Sequence, residues 1–292
     1  MTPNEYCQDK AARSGSSFYY AFLFLPLERR NAITALYAYC REVDDVVDNC
    51  TDPSIARVKL AWWRTQVNAL FEGHADHPVL KALEPSLQPF GITRERLIAI
   101  IDGMEMDLDQ NRYLDWPALR KYCWHVAGVV GELSAGIFGY QDPRTLAYAG
   151  TLGIAFQMTN IVRDVGDDAR RGRIYLPIDD LKQHGVRAAD VLNGVHSPAF
   201  EALMAFEAER ARALYREAIA ALPDQDRRAQ RPGLLMAAIY FTLLEEIERE
   251  HWQVLHQRIS LTPLRKLWLA WSNWVAGGGG IVRRISRSVK PS

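Results

Sequence analysis

The chain has 292 residues, is 48% hydrophobic, and carries 35 basic and 35 acidic side chains, so its net charge is zero. This composition excludes a disordered chain and gives no strong field for nucleic acid, so any charge-based function must be local. Four scattered cysteines without a C-x-x-C pair read as reduced thiols of a cytoplasmic protein, and Cys123 with His125 as a packed thiol beside an ordinary helix histidine.

Glu5, Asp9, Lys10 and Arg13 near the start are incompatible with a signal peptide, and no apolar run reaches the ~18 residues of a bilayer span. Helical periodicity then dominates. Ile33, Leu36, Tyr37, Cys40, Val43 and Val47 recur at three- and four-residue steps and predict a helix over 27–48, after Pro26. Further helices are expected at 54–71, 78–89, 93–112, 117–138, 143–168, 198–221 and 231–259, separated by breakers such as Gly73, Pro117 and Pro198. Alternating strand patterns are scarce, and neither G-x-G-x-x-G nor G-x-x-x-x-G-K-[ST] occurs. One all-α domain over 1–275 is the simplest account. Residues 276–292 read as a glycine-rich linker with a basic tail.

Two helices carry chemistry. On a period of 3.6, Tyr37, Arg41, Asp44 and Asp48 form one stripe, with Asp45 beside it; Gln157, Asn160, Asp164 and Asp168 form another, with Arg163 beside it. Each stripe ends in D-x-x-x-D, and Asp44 with Asp45, like Asp167 with Asp168, places two acids side by side. Such faces need water or a shared cation. Mg²⁺ takes hard oxygen ligands and commonly keeps phosphate oxygens and water in its shell. Two opposed acidic helices could therefore hold several Mg²⁺ ions against a diphosphate, with Arg41 and Arg163 as extra donors. A single D-x-x-x-D is more often a solvated face; its repetition and the amides at 157 and 160 favour the site.

Ser17, Phe18 and the aromatics after them, in the run 17–22, combine a hydroxyl with ring faces able to stabilise a passing cation, or else form an ordinary core helix. Gly128, Gly131, Ala135 and Gly136 let something approach closely, either a neighbouring helix or a flat hydrocarbon chain. Trp268, Trp271 and Trp274 before the glycines, with Arg283, Arg284, Arg287 and Lys290 after them, read either as core packing with a solvated tail or as peripheral membrane contact.

Taken together, SSFYYAFLFLP (16–26), ALYAYCREVDDVVD (35–48), VAGVVGEL (126–133), QMTNIVRDVGDDARRGRIYLP (157–177), Tyr240 and Arg258 resemble the squalene/phytoene synthase family, from about residue 10 to 275. Within it, the wording is most similar to bacterial presqualene diphosphate synthases of hopanoid biosynthesis. The resemblance implies the all-α isoprenoid synthase fold with a central cavity. Asp44, Asp48, Asp164 and Asp168 match its Mg²⁺-binding aspartates, and Asp45 and Asn160 match adjoining motif positions. Ser17, Tyr37, Arg41, Gln157, Arg163, Tyr240 and Arg258 match positions facing diphosphate or reacting carbons, and the segment 172–177 matches part of a lid. The implied reaction is head-to-head condensation of two farnesyl diphosphates to presqualene diphosphate, with several Mg²⁺ ions and without NADPH. Phytoene synthase, full squalene synthase, a terpene cyclase or chain elongase, and a non-catalytic assembly factor of the same fold remain alternatives. The expected setting is the cytoplasm, with peripheral contact at the inner face of a membrane left open by the Trp/Arg segment and downstream isoprenoid enzymes as candidate partners.

Overall fold

The computed structural model describes residues 1–13, 22, 25–50, 52–275 and 277–288. Helices α1 (Pro3–Arg13), α2 (Leu27–Asp48), α3 (Pro53–Phe71), α4 (Pro78–Leu83) and α5 (Arg94–Asp109) build the first half. Their starts follow local chemistry. Asp52 accepts from Ser54 N at 2.8 Å with Pro53 in the first turn, and Thr93 caps α5. Helix α2 packs on α1, α3, α4 and α5 and buries Tyr39, Val43 and Val47.

The stretch expected as one helix over 117–138 is broken in register. It runs as α6 (Trp116–Cys123), a π-helical turn (Trp124–Gly128) and α7 (Val129–Phe138). A π turn inserts a residue into the helical repeat, a feature frequent at functional sites. Here it carries Val126 and Ala127, both of which line the central cavity.

Helix α8 (Arg144–Arg170) is the axis of the second half. It is followed by α9 (Ile178–Gln183), α10 (Ala188–Leu192), α11 (Pro198–Ala221) and α12 (Arg231–Arg249), and it packs on α7, α11 and α12. The small residues of α7 and α8 serve this packing: a Cβ on Gly131 would lie 2.2 Å from the Ala149 carbonyl oxygen, and one on Gly153 would lie 2.3 Å from that of Ala127. Of the two readings of the 128–136 glycines, at Gly131 the neighbour is a helix backbone.

Helix α12 stops at Arg249, short of the expected 259, because His251 and Trp252 adopt left-handed backbone (φ 50° and 57°). The turn lays Val254 and Leu255 on Gly166 of α8, where a Cβ would stand 2.4 Å from the Leu255 oxygen. Helices α13 (Pro263–Val275) and α14 (Gly279–Ser286) close the chain. Residues 279–286, expected as linker and tail, form a helix that buries Ile281 and Ile285 against α11 and α12. Among the described residues there is no β-strand, only an isolated bridge between Arg112 and Ile174. No described helix is long and apolar enough to cross a membrane.

Candidate active site

Helices α2, α7, α8 and α12 enclose a cavity whose wall is chiefly apolar, with Ile33, Leu36, Val130, Leu152, Phe156 and Met236 among its lining. One end is polar: Tyr37, Gln157, Asn160 and Tyr240 line it. Both predicted stripes thus enter the cavity, Tyr37 on α2 and Gln157 with Asn160 on α8. Two and three turns beyond Tyr37 the stripe on α2 becomes acidic, at Asp44 and Asp48, and one and two turns beyond Asn160 the stripe on α8 does so, at Asp164 and Asp168. Phe156 and Tyr240 set their rings 4.8 Å apart at this end.

The acids are stitched by arginines. Arg41 bonds Asp44 and Asp45, the latter at 3.0 Å, and Lys10 of α1 reaches Asp45 at 2.7 Å. On α8, Arg163 grips Asp164 with two nitrogens, and Arg258 donates to the same carboxylate at 2.9 Å. Arg171 and Arg173, just past α8, stand 3.4 and 3.6 Å from Asp48 on α2. The segment just past α8 therefore reaches across to α2 and ties the ends of the two acidic ridges together.

Electrostatics separates the carboxylates. Burial and the neighbouring Asp48 push Asp44 up to about 6. Burial and Asp164 push Asp168 up to about 7. Burial also works to raise Asp164, but the hydrogen bonds and charge of Arg163 and Arg258 outweigh it, and this carboxyl sits below the usual range.

One acid was missed by the sequence reading. Asp107 of α5 accepts from Tyr122 and Tyr175, both at 2.9 Å, and burial raises it to about 6. Its charge is felt by Asp44 from one side and Asp168 from the other. Asp107 lies on neither stripe, and only its place in an otherwise helical, partly apolar run could have flagged it. Tyr175 belongs to the 172–177 segment, expected as part of a lid. That segment is pinned to the chain after α5: Ile174 N donates to Asn111 O at 3.1 Å, and Ile178 N to Tyr113 O at 2.9 Å.

These residues fit a divalent cation of particular habits. The buried Oδ1 of Asn160 has no hydrogen-bond partner among the described residues, and the crowded, desolvated acids favour added positive charge. Yet no three Asp, Glu, His or Cys side chains among them form a ready metal cage. The donor set suits an ion held by one or two carboxylates and completed by substrate oxygens and water, as Mg²⁺ commonly is. Cys123, by contrast, is a buried free thiol, and the His125 ring faces the Lys121 carbonyl at 2.8 Å. Ser17 and Phe18 lie outside the described residues.

A helical shell around an apolar cavity, with two acidic helices joined beyond its polar end, defines an all-α isoprenoid synthase fold. The squalene/phytoene synthase family model matches residues 11–265, and the chain belongs to that family of isoprenoid-biosynthetic transferases. A phytoene synthase of Arthrospira platensis is 38% identical over 280 residues, covering 90% of this chain and 89% of the relative. A 15-cis-phytoene synthase of Synechococcus elongatus is 35% identical, with the same two coverages. Among solved structures, a dehydrosqualene synthase with bound ligand superimposes with a TM-score of 0.82 at 26% identity, covering 94% of this chain and 96% of that one. A squalene synthase of Alicyclobacillus acidocaldarius gives 0.73 at 28%, covering 86% and 94%.

Proposed function

We propose that this protein joins two allylic prenyl diphosphates head to head, with farnesyl diphosphate as substrate and presqualene diphosphate as product. The observation that carries the reading is the pair of arginine-stitched acidic ridges at the polar end of an apolar cavity. Asp44, Asp45 and Asp48 on one ridge, and Asn160, Asp164 and Asp168 on the other, would hold Mg²⁺. When bound, that ion supplies positive charge to diphosphate oxygens as a C–O bond breaks.

The chain's own residues do the rest. Arg41, Arg163 and Arg258 exchange carboxylate partners for phosphate oxygens and orient the leaving group. The ring faces of Tyr37, Tyr240 and Phe156 flank the allylic cation without offering a nucleophile. The apolar wall excludes water that would quench it. The C2–C3 double bond of the second substrate attacks C1 of that cation. Loss of a proton to the departing diphosphate then closes a cyclopropane, and the product keeps one diphosphate. No hydride donor is needed to this point.

A second reading has its own support. The curated relatives named above are phytoene synthases, which favours geranylgeranyl diphosphate and a C40 product. Relatives of known structure named for squalene and dehydrosqualene synthesis favour the C15 substrate. The test is to incubate the protein with Mg²⁺ and C15 or C20 diphosphate, with and without NADPH, and to weigh the phosphatase-treated products. A C30 alcohol independent of NADPH is expected. A C40 hydrocarbon would transfer the reading to phytoene synthesis, a C30 hydrocarbon only with NADPH to squalene synthesis. No coupled product from either substrate would remove it.

A further inference from the structure

Helix α13 is amphipathic with its sides reversed. Leu264, Leu267, Trp268, Trp271 and Val275 fall at three- and four-residue steps and point outward; Trp268 is 63% exposed and Trp271 56%. The opposite side buries Leu269 and Ala270 and lays Trp274 under Arg231, 5.6 Å from the ring centroid. The core therefore does not claim the outward residues. Two adjacent tryptophans with leucines form a continuous apolar patch of the kind that marks an interaction site.

The surroundings say what covers it. From residue 251 to 292 there is no Asp or Glu, although the whole chain is neutral. Lys266 lies on α13 itself, and exposed Arg283 and Arg287 lie on and just after α14, while Arg265 is held by Glu246 at 2.8 Å. A second copy of this chain docked face to face would bring two such cationic rims together, which like-charge repulsion opposes. An anionic lipid surface presents negative headgroups to the rim and acyl chains to the apolar face, and tryptophan favours that interface.

Position matters as well. Arg258, just ahead of α13, bonds Asp164 at 2.9 Å, and α13 packs on α12, which carries Tyr240 of the cavity wall, so α13 flanks the polar end of the cavity.

We propose that the outward face of α13, flanked by Lys266, Arg283 and Arg287, docks this protein on an anionic bilayer with the polar end of its cavity beside the membrane surface. The docking stands on surface geometry alone. Its use, passing a hydrocarbon chain between bilayer and cavity, rests on the function proposed above.

The test is flotation of the full chain with phosphatidylglycerol/phosphatidylcholine vesicles, without substrate, so that it is independent of turnover. The protein should float with these vesicles, float less with pure phosphatidylcholine, and release as salt rises from about 0.05 to 0.5 M. W268S/W271S, which removes only exposed rings, should cut the bound fraction about tenfold. Bromolipid quenching of the wild-type tryptophan emission reads the same contact without any substitution. Absence of both flotation and quenching overturns the proposal, as does a variant that floats like wild type. So does light scattering that finds a wild-type dimer made monomeric by W268S/W271S.

Discussion

Arg173, three residues past the end of α8, stands 3.6 Å from Asp48 on α2. That contact places the C-terminal ends of the two acidic helices within one side chain of each other, which is the geometry a shared diphosphate site needs. Asp48 meets Arg171 and Arg173, and Asp164 meets Arg163 and Arg258, so each carboxylate is both a metal-ligand candidate and an arginine anchor. Asp48→Asn and Asp164→Asn keep the shape of the side chain and remove its charge. Each should lower turnover by about 10²-fold or more while leaving the helical circular-dichroism signal unchanged. Near-normal rates in either variant would contradict the assignment.

Metal dependence follows from the donor set rather than from these carboxylates singly. No protein cage is preformed among the described residues, so cation and diphosphate should bind together and weakly apart. Thermal melts should therefore shift upward with Mg²⁺ and inorganic pyrophosphate combined, and little with either alone. EDTA should stop turnover and Mg²⁺ restore it. Full activity in chelator, or an equal thermal shift from pyrophosphate alone, counts against a cation in the site.

The contact between α7 and α8 gives a prediction about packing. Gly131→Val forces a side chain onto the Ala149 carbonyl, where even a Cβ comes to 2.2 Å, and two backbones must separate. A loss of about 1–3 kcal/mol is expected, seen as a lower midpoint in denaturant. Gly279→Ala, whose Cβ meets nothing within 4 Å, is the control and should be close to neutral. Equal midpoints for the two variants would mean that α7 yields at no cost.

The difference between these features explains what the sequence could reveal. Helix α2 was legible to its ends, Leu27 and Asp48, because an apolar stripe and a polar stripe run its whole length. The acidic stripes were legible because each lies within one helix. Asp107 was not, since its meaning comes from Tyr122 and Tyr175, 15 and 68 residues away. The π turn at 124–128 left no mark in a run already rich in glycine and valine. The end of α12 was overrun because the left-handed pair His251 and Trp252 has no glycine to announce it. Helix α14 was hidden by the glycines that start it, although Ile281 and Ile285 are spaced for burial.

Glu207 of α11 makes a test of pH dependence away from the candidate active site. Its side chain is fully buried and bonds Arg210 at 2.5 Å, while Arg210 also reaches Asp180 of α9 at 2.8 Å. Burial, with Asp180 nearby, pushes the Glu207 carboxyl up to about 8 despite Arg210. An acid raised in the folded state keeps its proton there while the unfolded chain, near pH 4.5, has already lost it. The folded state then binds more protons, so this group's contribution falls as pH rises from about 4.5 to about 8 and is flat above that. Glu207→Gln mimics the protonated form at every pH. Relative to the variant, wild type should lose stability across that window, and at pH 8 the variant should be the more stable by roughly 1–3 kcal/mol. Denaturant midpoints for both chains at pH 5, 6.5 and 8 check this. Parallel curves would mean that Arg210 keeps Glu207 ionised throughout, and the burial of an uncharged acid at this position would be refuted.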